Sequence, residues 1–264
     1  MKVRIWTLIL GLAVSNLTAC VVVQGSSVVR GSGDVVEETR QVSGFDRVEL
    51  ATIGTLTIEK GHEIRLVVEA EDNLLEYIQT RVQGSKLLID VEQGASITPT
   101  RPIRYRLTIA DLREITLSSS GDAEAPSIQA SEFIIGINSS GSLTMDGIEA
   151  DRVNIMVSSS GNARLGEIVT DQLSVEIESS GNVTIRAGSA GRQEISLSSS
   201  GDYEARDVQS SRVEARLSSS GSATVRVSEV LSGRLTSSGN LEYIGNPEVD
   251  VETTSSGDVN RIRD

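Results

Sequence analysis

The sequence predicts an all-β chain wound as a parallel, right-handed β-helix, a solenoid with 20-residue coils. Three observations lead there. Ser-Ser-Gly first appears at Ser119-Ser120-Gly121 and recurs almost to the last residue, with its glycines at Gly121, Gly141, Gly161, Gly181, Gly201, Gly221, Gly239 and Gly257. The first five steps are 20 residues and the last two are 18, and a fixed period in this range marks stacked coils. Within each period apolar residues alternate with polar ones, the signature of strands with one face inside. Finally, no stretch carries a long helical pattern.

The columns define one coil. Six residues before each Gly stand Ile115, Ile135, Ile155, Val175, Ile195 and Ala215, and four before stand Leu117, Ile137, Val157, Ile177, Leu197 and Leu217. Two after come Ala123, Leu143, Ala163, Val183, Tyr203 and Ala223. Further apolar positions recur at Ile128, Ile148, Ile168 and Val208, and at Phe133, Val153, Leu173 and Val213. The residues between are polar, such as Thr116, Glu176 and Arg216. About three short strands per coil, stacked in register, satisfy this pattern. A single coil buries too little apolar surface to offset the entropy of ordering it, so coils must stack to be stable.

The Gly column is the expected structural turn, where positive φ or close backbone approach favours glycine. Stacked serines beside it are expected to pass hydrogen bonds from coil to coil. The residue after Gly runs Asp122, Ser142, Asn162, Asn182, Asp202, Ser222, Asn240 and Asp258, with no two aspartates adjacent. In-register stacking puts neighbours about 4.8 Å apart, where like charges repel. Gly188 and Gln193 fall in apolar columns, and a local bulge or loop is expected there. The last coil turns polar: Thr253 takes an aliphatic position and the chain ends Arg261-Ile262-Arg263-Asp264, which blunts an open sheet edge.

The N-terminus reads as a targeting segment over 1–19. Lys2 and Arg4 precede an apolar run, Ile5 to Val14, too short to span a membrane, and Leu17-Thr18-Ala19-Cys20 follows. This resembles a bacterial lipobox, which implies that Cys20 takes a diacylglycerol and becomes the mature N-terminus. Val21 after it, in place of an aspartate, favours the outer membrane by the same resemblance. Cleavage would take the formal charge from −13 to −15, a surface that repels nucleic acid and anionic lipid. Residues 20–39, rich in Val, Gly and Ser, read as a flexible tether.

The folded domain is expected over 40–264, irregular to about 110 and regular over 111–260. Strands are expected at Arg47 to Ile53, Thr55 to Glu59, Ile64 to Ala70, Lys86 to Glu92 and Ile103 to Ile109. Asp72 to Ile78 reads either as one helical turn capped by Asp72 or as a bulged corner. Gly94 to Thr100 reads as a loop.

Gly44-Phe45-Asp46-Arg47-Val48, Gly61 before a strand, Asp72-Asn73-Leu74-Leu75, Leu87-Leu88-Ile89 and the Ser-Ser-Gly-Asp/Asn coils together resemble the auto-transporter adhesin head GIN domain family over roughly residues 40 to 250. The resemblance implies secreted or lipid-anchored β-helical proteins of the bacterial envelope. It implies no catalytic residues.

Composition removes several chemistries. Cys20 is the one cysteine, so no disulfide forms within the chain. The one histidine, His62, lies in Lys60-Gly61-His62-Glu63 and reads as an exposed turn, leaving no Ser–His nucleophile and no His-based zinc site. Asp122, Asp202 and Asp258 are too widely spaced for a repeat calcium site and read as corner residues bonding their own turns. Aromatic residues make up 3% of the chain, against a broad sugar-stacking platform. Glu124, Arg164 and Glu204 share an outward column with threonines between, a solvated face rather than a catalytic pair. The expectation is a lipid-anchored, non-catalytic envelope module without cofactor or metal. Its partners are the membrane, through Cys20, and a glycan or protein ligand. The alternatives are a carbohydrate-active enzyme on the same scaffold, or a periplasmic scaffold.

Overall fold

The computed structural model describes residues 27–236, 238–254 and 256–263. The leader, Cys20 and residues up to 26 lie outside the described residues. The chain is an all-β solenoid.

The regular half follows the columns. After β1 (Ser27–Arg30) to β11, whose places are given below, come β12 (Ile128–Ile137), β13 (Ser142–Val157), β14 (Asn162–Ile177), β15 (Asn182–Leu197), β16 (Tyr203–Leu217) and β17 (Ser222–Leu235). β13 to β17 are each one coil and β12 completes the coil begun by β11 (Asp122–Ala125), every coil pairing parallel with the next at an offset of 20 residues as far as β16. Three paired stretches make up the coil. Between β13 and β14 these are 142–145, 147–150 and 152–157, separated by the single corner residues Asp146 and Asp151. Only the Ser-Ser-Gly corner interrupts the strand. Ile135, Ile155, Val175, Ile195 and Ala215 are buried in one column, and Leu117 to Leu217 in another.

The repeat glycines are present for closeness, not for φ. None from Gly121 to Gly239 has positive φ. A Cβ on Gly141 would lie 2.0 Å from the Gly121 carbonyl oxygen, and the same clash recurs up the stack at 2.3 Å for Gly161, 2.2 Å for Gly181 and 2.1 Å for Gly201. The carbonyl of one corner thus faces the α-carbon of the next, which leaves room for hydrogen only.

The hydrogen-bond ladder at this corner runs on the residue after Gly. The Asp122 carboxylate accepts the Ser142 backbone N–H at 2.8 Å, Asn182 accepts from Asp202 N–H at 3.0 Å, and Asp202 from Ser222 N–H at 2.9 Å. The Asn182 amide also donates to Asn162 Oδ1 at 3.0 Å. Two expectations are corrected. Among the described residues 119–220, the two serines next to each Gly donate no hydroxyl to this ladder, while one residue earlier Ser158 donates to Asn138 Oδ1 at 3.1 Å and Ser218 to the Leu197 carbonyl at 3.4 Å, both in the preceding coil. The corner Asp and Asn residues bond the next coil rather than their own turn.

The irregularity is displaced too. Gly188 and Gln193 stay in register with Ile168 and Leu173 on one side and Val208 and Val213 on the other, so no loop forms. Gly188 takes φ +124 in place. The true register shifts lie between β16 and β17, at Ala205/Gln209 and Ser210/Arg212, where the coil shortens. β18 (Asn240–Ile244), β19 (Glu248–Thr253) and β20 (Val259–Arg261) complete the stack, with β19 and β20 mostly exposed.

In the first half, chain order and stacking order part. β3 (Arg47–Leu50) and β4 (Thr55–Lys60) pair with β10 (Glu114–Leu117) and β11 (Asp122–Ala125) on one side, and with β7 (Lys86–Val91) and β9 (Arg104–Ile109) on the other. The coil formed later in sequence, 86–109, therefore lies outside the one formed first. Lys86 links these layers, reaching Glu49 at 3.3 Å and Glu114 at 2.8 Å. This end is closed by antiparallel pairings: β5 (Arg65–Glu71) with both β2 (Val35–Arg40) and β9, and β6 (Ile78–Gln83) with β7.

The expected tether is ordered over its described part. β1 pairs with β8 (Ala95–Thr98), inside the expected loop, and β2 pairs with β5. Glu71, fully buried, fastens the turn between β1 and β2. Its carboxylate accepts Gly33 N–H at 2.7 Å, Thr100 N–H at 2.8 Å and the Thr100 hydroxyl at 2.5 Å. Burial alone would raise this carboxyl, but bonds from Thr100, Gly33 and Arg101 outweigh it and hold it below the ordinary carboxylate value. Asp72 to Leu74 form a single 3-10 turn whose N-cap is Glu71 rather than Asp72. Asp72 instead takes the Ser32 hydroxyl at 2.5 Å.

Candidate functional site

A concavity of about 850 Å³ runs along one edge of the solenoid from β12 to β17. It forms at the corner that follows a column of small residues: Ala130, Ala150, Thr170, Ala190 and Ser210. These pair in register from one coil to the next, so the small side chains make a continuous floor. The rim is polar, with Gln129, Glu149 and Gln209 on one side and Asp151, Asp171 and Ser211 on the other. Val169 is its exposed apolar side chain, 43% accessible. No aromatic side chain lines it. The register shift at Ser210/Arg212 ends it, because the next coil sets Val227 opposite Ser210.

The floor is tied to the interior by a buried polar chain. The Tyr203 hydroxyl donates to Gln193 Oε1 at 2.6 Å, and Gln193 Nε2 donates to Ser210 Oγ at 2.6 Å. Gln193 is 0% and Tyr203 1% exposed. Thr170 is anchored separately, its hydroxyl lying 3.1 Å from the Asp151 carbonyl and 3.0 Å from that of Gln172.

A smaller cleft of about 360 Å³ shares Gln129 and Ala130 with the groove and continues it toward the first coils. It holds exposed His62 with Asp46, Asp111 and Arg113. Ser131 lines it as well, but no hydrogen bond joins Ser131 to His62, and Arg113 pairs with Asp46 at 3.5 Å. Among the described residues no group of three or more His, Cys, Asp or Glu could hold a metal ion. Glu124 aligns with Thr144, then Arg164, Thr184 and Glu204 along one flat face, away from the groove. All eight repeat glycines are buried at the Ser-Ser-Gly corner, a different edge from the groove.

Sequence reading missed the groove. Its signal was the small-residue column nine positions after each Gly, which is invisible while attention rests on large apolar columns. The three acids Glu149, Asp151 and Asp171 gather along it through stacking of two adjacent coils. No described helix is long and apolar enough to cross a membrane.

Solved structures share this fold over most of the chain. A structure described as a putative adhesin from Parabacteroides merdae matches with a TM-score of 0.82 and 21% identity, covering 89% of this chain and 99% of that one. A putative adhesin from Parabacteroides distasonis gives 0.79 and 18%, covering 89% and 100%. A structure described as a putative lipid binding protein from the same species gives 0.73 and 22%, again covering 89% and 100%. A search of curated proteins finds no match. The sequence model of one family, described as putative auto-transporter adhesin, head GIN domain, matches residues 44–247. That span takes in the coils from β3 to β18, the Ser-Ser-Gly corners from Gly121 to Gly239 and the whole groove, and the chain belongs to this family.

Proposed function

We propose that this chain is a non-catalytic binding module of the bacterial envelope, held at the outer membrane by lipid on Cys20, whose axial groove receives an extended ligand. The observation that carries the reading is the groove itself: a polar trough crossing five coils in register, built on a rigid scaffold. Adhesin relatives and a lipobox-like leader support the envelope address. With Cys20 acylated and residues 27–40 clasped to the domain, only the short stretch between them is left to set its stand-off from the bilayer.

Protease shaving of intact cells, following the protein by antibody, tests the address. Cleavage while a periplasmic control survives supports outward display. Protection together with membrane release of Cys20→Ser supports a periplasmic role instead. Recovery of wild-type protein without lipid overturns the anchor.

A second reading, a carbohydrate-active enzyme, draws on Glu149, Asp151 and Asp171 in one groove. Glycoside hydrolysis needs two opposed carboxylates with separate acid and base roles. Release of reducing ends from a polysaccharide, abolished by Glu149→Gln or Asp171→Asn, would establish it.

A further inference from the structure

Gln193 occupies a core column between Leu173 and Val213, where an apolar side chain would pack without polar cost. Its retention needs a reason, and the direction of its hydrogen bonds supplies one. A chain of hydroxyl, amide and hydroxyl carries four donor protons, two of them on the amide nitrogen, and its two internal hydrogen bonds use two. With Tyr203 donating to Gln193 and Gln193 to Ser210, the protons left over are the second Gln193 N–H, in the core, and the Ser210 hydroxyl, and of the two residues only Ser210 lines the groove. Reversing the amide would move the left-over hydroxyl proton from Ser210 to Tyr203, 1% exposed in the core, at the cost of a further orphaned buried donor. The relay therefore points outward. Ser210 is 5% exposed and lines the groove, and no described acceptor takes its proton.

The rest of the trough specifies what lies over that donor. The coils repeat about every 4.8 Å, so a ligand along the axis meets equivalent floor positions at the spacing of single residues in a polymer. The trough's 850 Å³ over five coils leaves about 170 Å³ each, the order of one pyranose residue. The rim carboxylates Glu149, Asp151 and Asp171 reject polyanions and attract ammonium groups. The absence of aromatic lining removes stacking and leaves hydrogen bonding to hydroxyls.

The geometry points to a linear amino-sugar glycan as the occupant of the groove, anchored by a hydrogen bond from Ser210 to a sugar oxygen and positioned by the Tyr203–Gln193 relay beneath. This rests on the reading that the groove is the binding surface. A basic peptide would satisfy the carboxylates equally but has no hydroxyl-dense edge for the floor.

The test uses the full mature domain and four probes: hexasaccharides of glucosamine, glucose and galacturonate, and hexalysine, measured by calorimetry. Glucosamine hexamer is expected to bind best, glucose hexamer less well, and galacturonate not at all. Ser210→Ala is expected to lose about tenfold in affinity for the glucosamine hexamer, the worth of one hydrogen bond. The substitution suits its column, where Ala130, Ala150 and Ala190 already stand. The triple variant Gln193→Leu/Tyr203→Phe/Ser210→Ala removes every member of the relay, leaving no orphaned group, and should bind as weakly as Ser210→Ala. Val169→Trp fills the trough and should abolish binding.

If Val169→Trp abolishes binding while Ser210→Ala leaves it unchanged, the groove reading stands and the Ser210 anchor is overturned. Hexalysine binding as tightly as glucosamine hexamer, indifferent to Ser210→Ala, overturns the glycan in favour of a basic peptide. No binding by any probe overturns both the anchor and the groove reading.

Discussion

Replacing Gly181 with alanine puts a methyl carbon 2.2 Å from the Gly161 carbonyl oxygen, 2.5 Å from Val157 Cγ1 and 2.7 Å from the Ser159 carbonyl oxygen. Val157 can rotate away, but the two carbonyls belong to the preceding coil and cannot. Restoring ordinary contact requires the corner to open by ~1 Å, given the 2.2 Å approach. The Asn182 N–H to Gly161 carbonyl bond already stands at 3.3 Å and would not survive that opening. Overpacking strain of about 1–3 kcal/mol and one lost hydrogen bond of about 1 kcal/mol give roughly 2–4 kcal/mol. For a domain of this size that corresponds to a Tm lower by roughly 4–16 °C. The control is Gly94→Ala, where φ is +90 and a Cβ would meet nothing within 4 Å. There the cost is conformational alone, about 1–2 kcal/mol. Thermal and urea denaturation of both variants, with hydrogen exchange to locate the damage, decides the matter. The exchange increase should centre on the coils either side of Gly181, because each coil contacts only its neighbours. A Gly181→Ala loss no larger than that of Gly94→Ala would refute the argument that closeness, not φ, selects these glycines.

Three further outcomes follow from the same geometry. The folded Glu71 carboxyl is held below the ordinary value, so its contribution is complete above the unfolded value near 4.5 and is lost as pH falls through the lower folded one; proteolysis between β1 and β2 should therefore rise at acid pH, and in Glu71→Gln the segment should already be cleaved readily at pH 7. Asn182→Ala removes two inter-coil hydrogen bonds, with Asn162 and Asp202, and should cost about 1–3 kcal/mol in urea denaturation. Asn182→Asp instead sets a carboxylate beside Asp202 about 4.8 Å away, and its destabilisation should shrink as salt is added from 0.05 to 0.5 M, both concentrations being about either side of physiological screening; a salt-independent loss would argue against the repulsion.

The coils were legible because their information is local. Each position of β13 to β16 contacts its equivalent 20 residues away, so the same demand is written repeatedly into one column, and Ile135, Ile155, Val175 and Ile195 announce their side of the chain. Alternation assigned faces, and spacing assigned register. The serines were only partly informative: Ser158 and Ser218 do bond the preceding coil, but the bonds beside the Gly column are carried by Asp122, Asn182 and Asp202. The groove was written as plainly, in Ala130, Ala150, Thr170, Ala190 and Ser210, but small residues signal a space rather than a contact.

Sequence by itself determined the all-β class, the period, the buried columns and where Ser-Ser-Gly corners fall, since stacking makes these nearest-neighbour properties. Only the tertiary structure decided the first half. There β4 pairs with β9 and β3 with β10 across long, unequal separations, and no repeat records which segment lies outermost. The same holds for the segment 27–40. Its Gly, Ser and Val composition suits a free linker, and it is ordered because Glu71, Asn73 and Thr98, all distant in sequence, supply the partners its backbone lacks. The direction of the Tyr203–Gln193–Ser210 relay was decided in the same way, by which of its two ends reaches the surface.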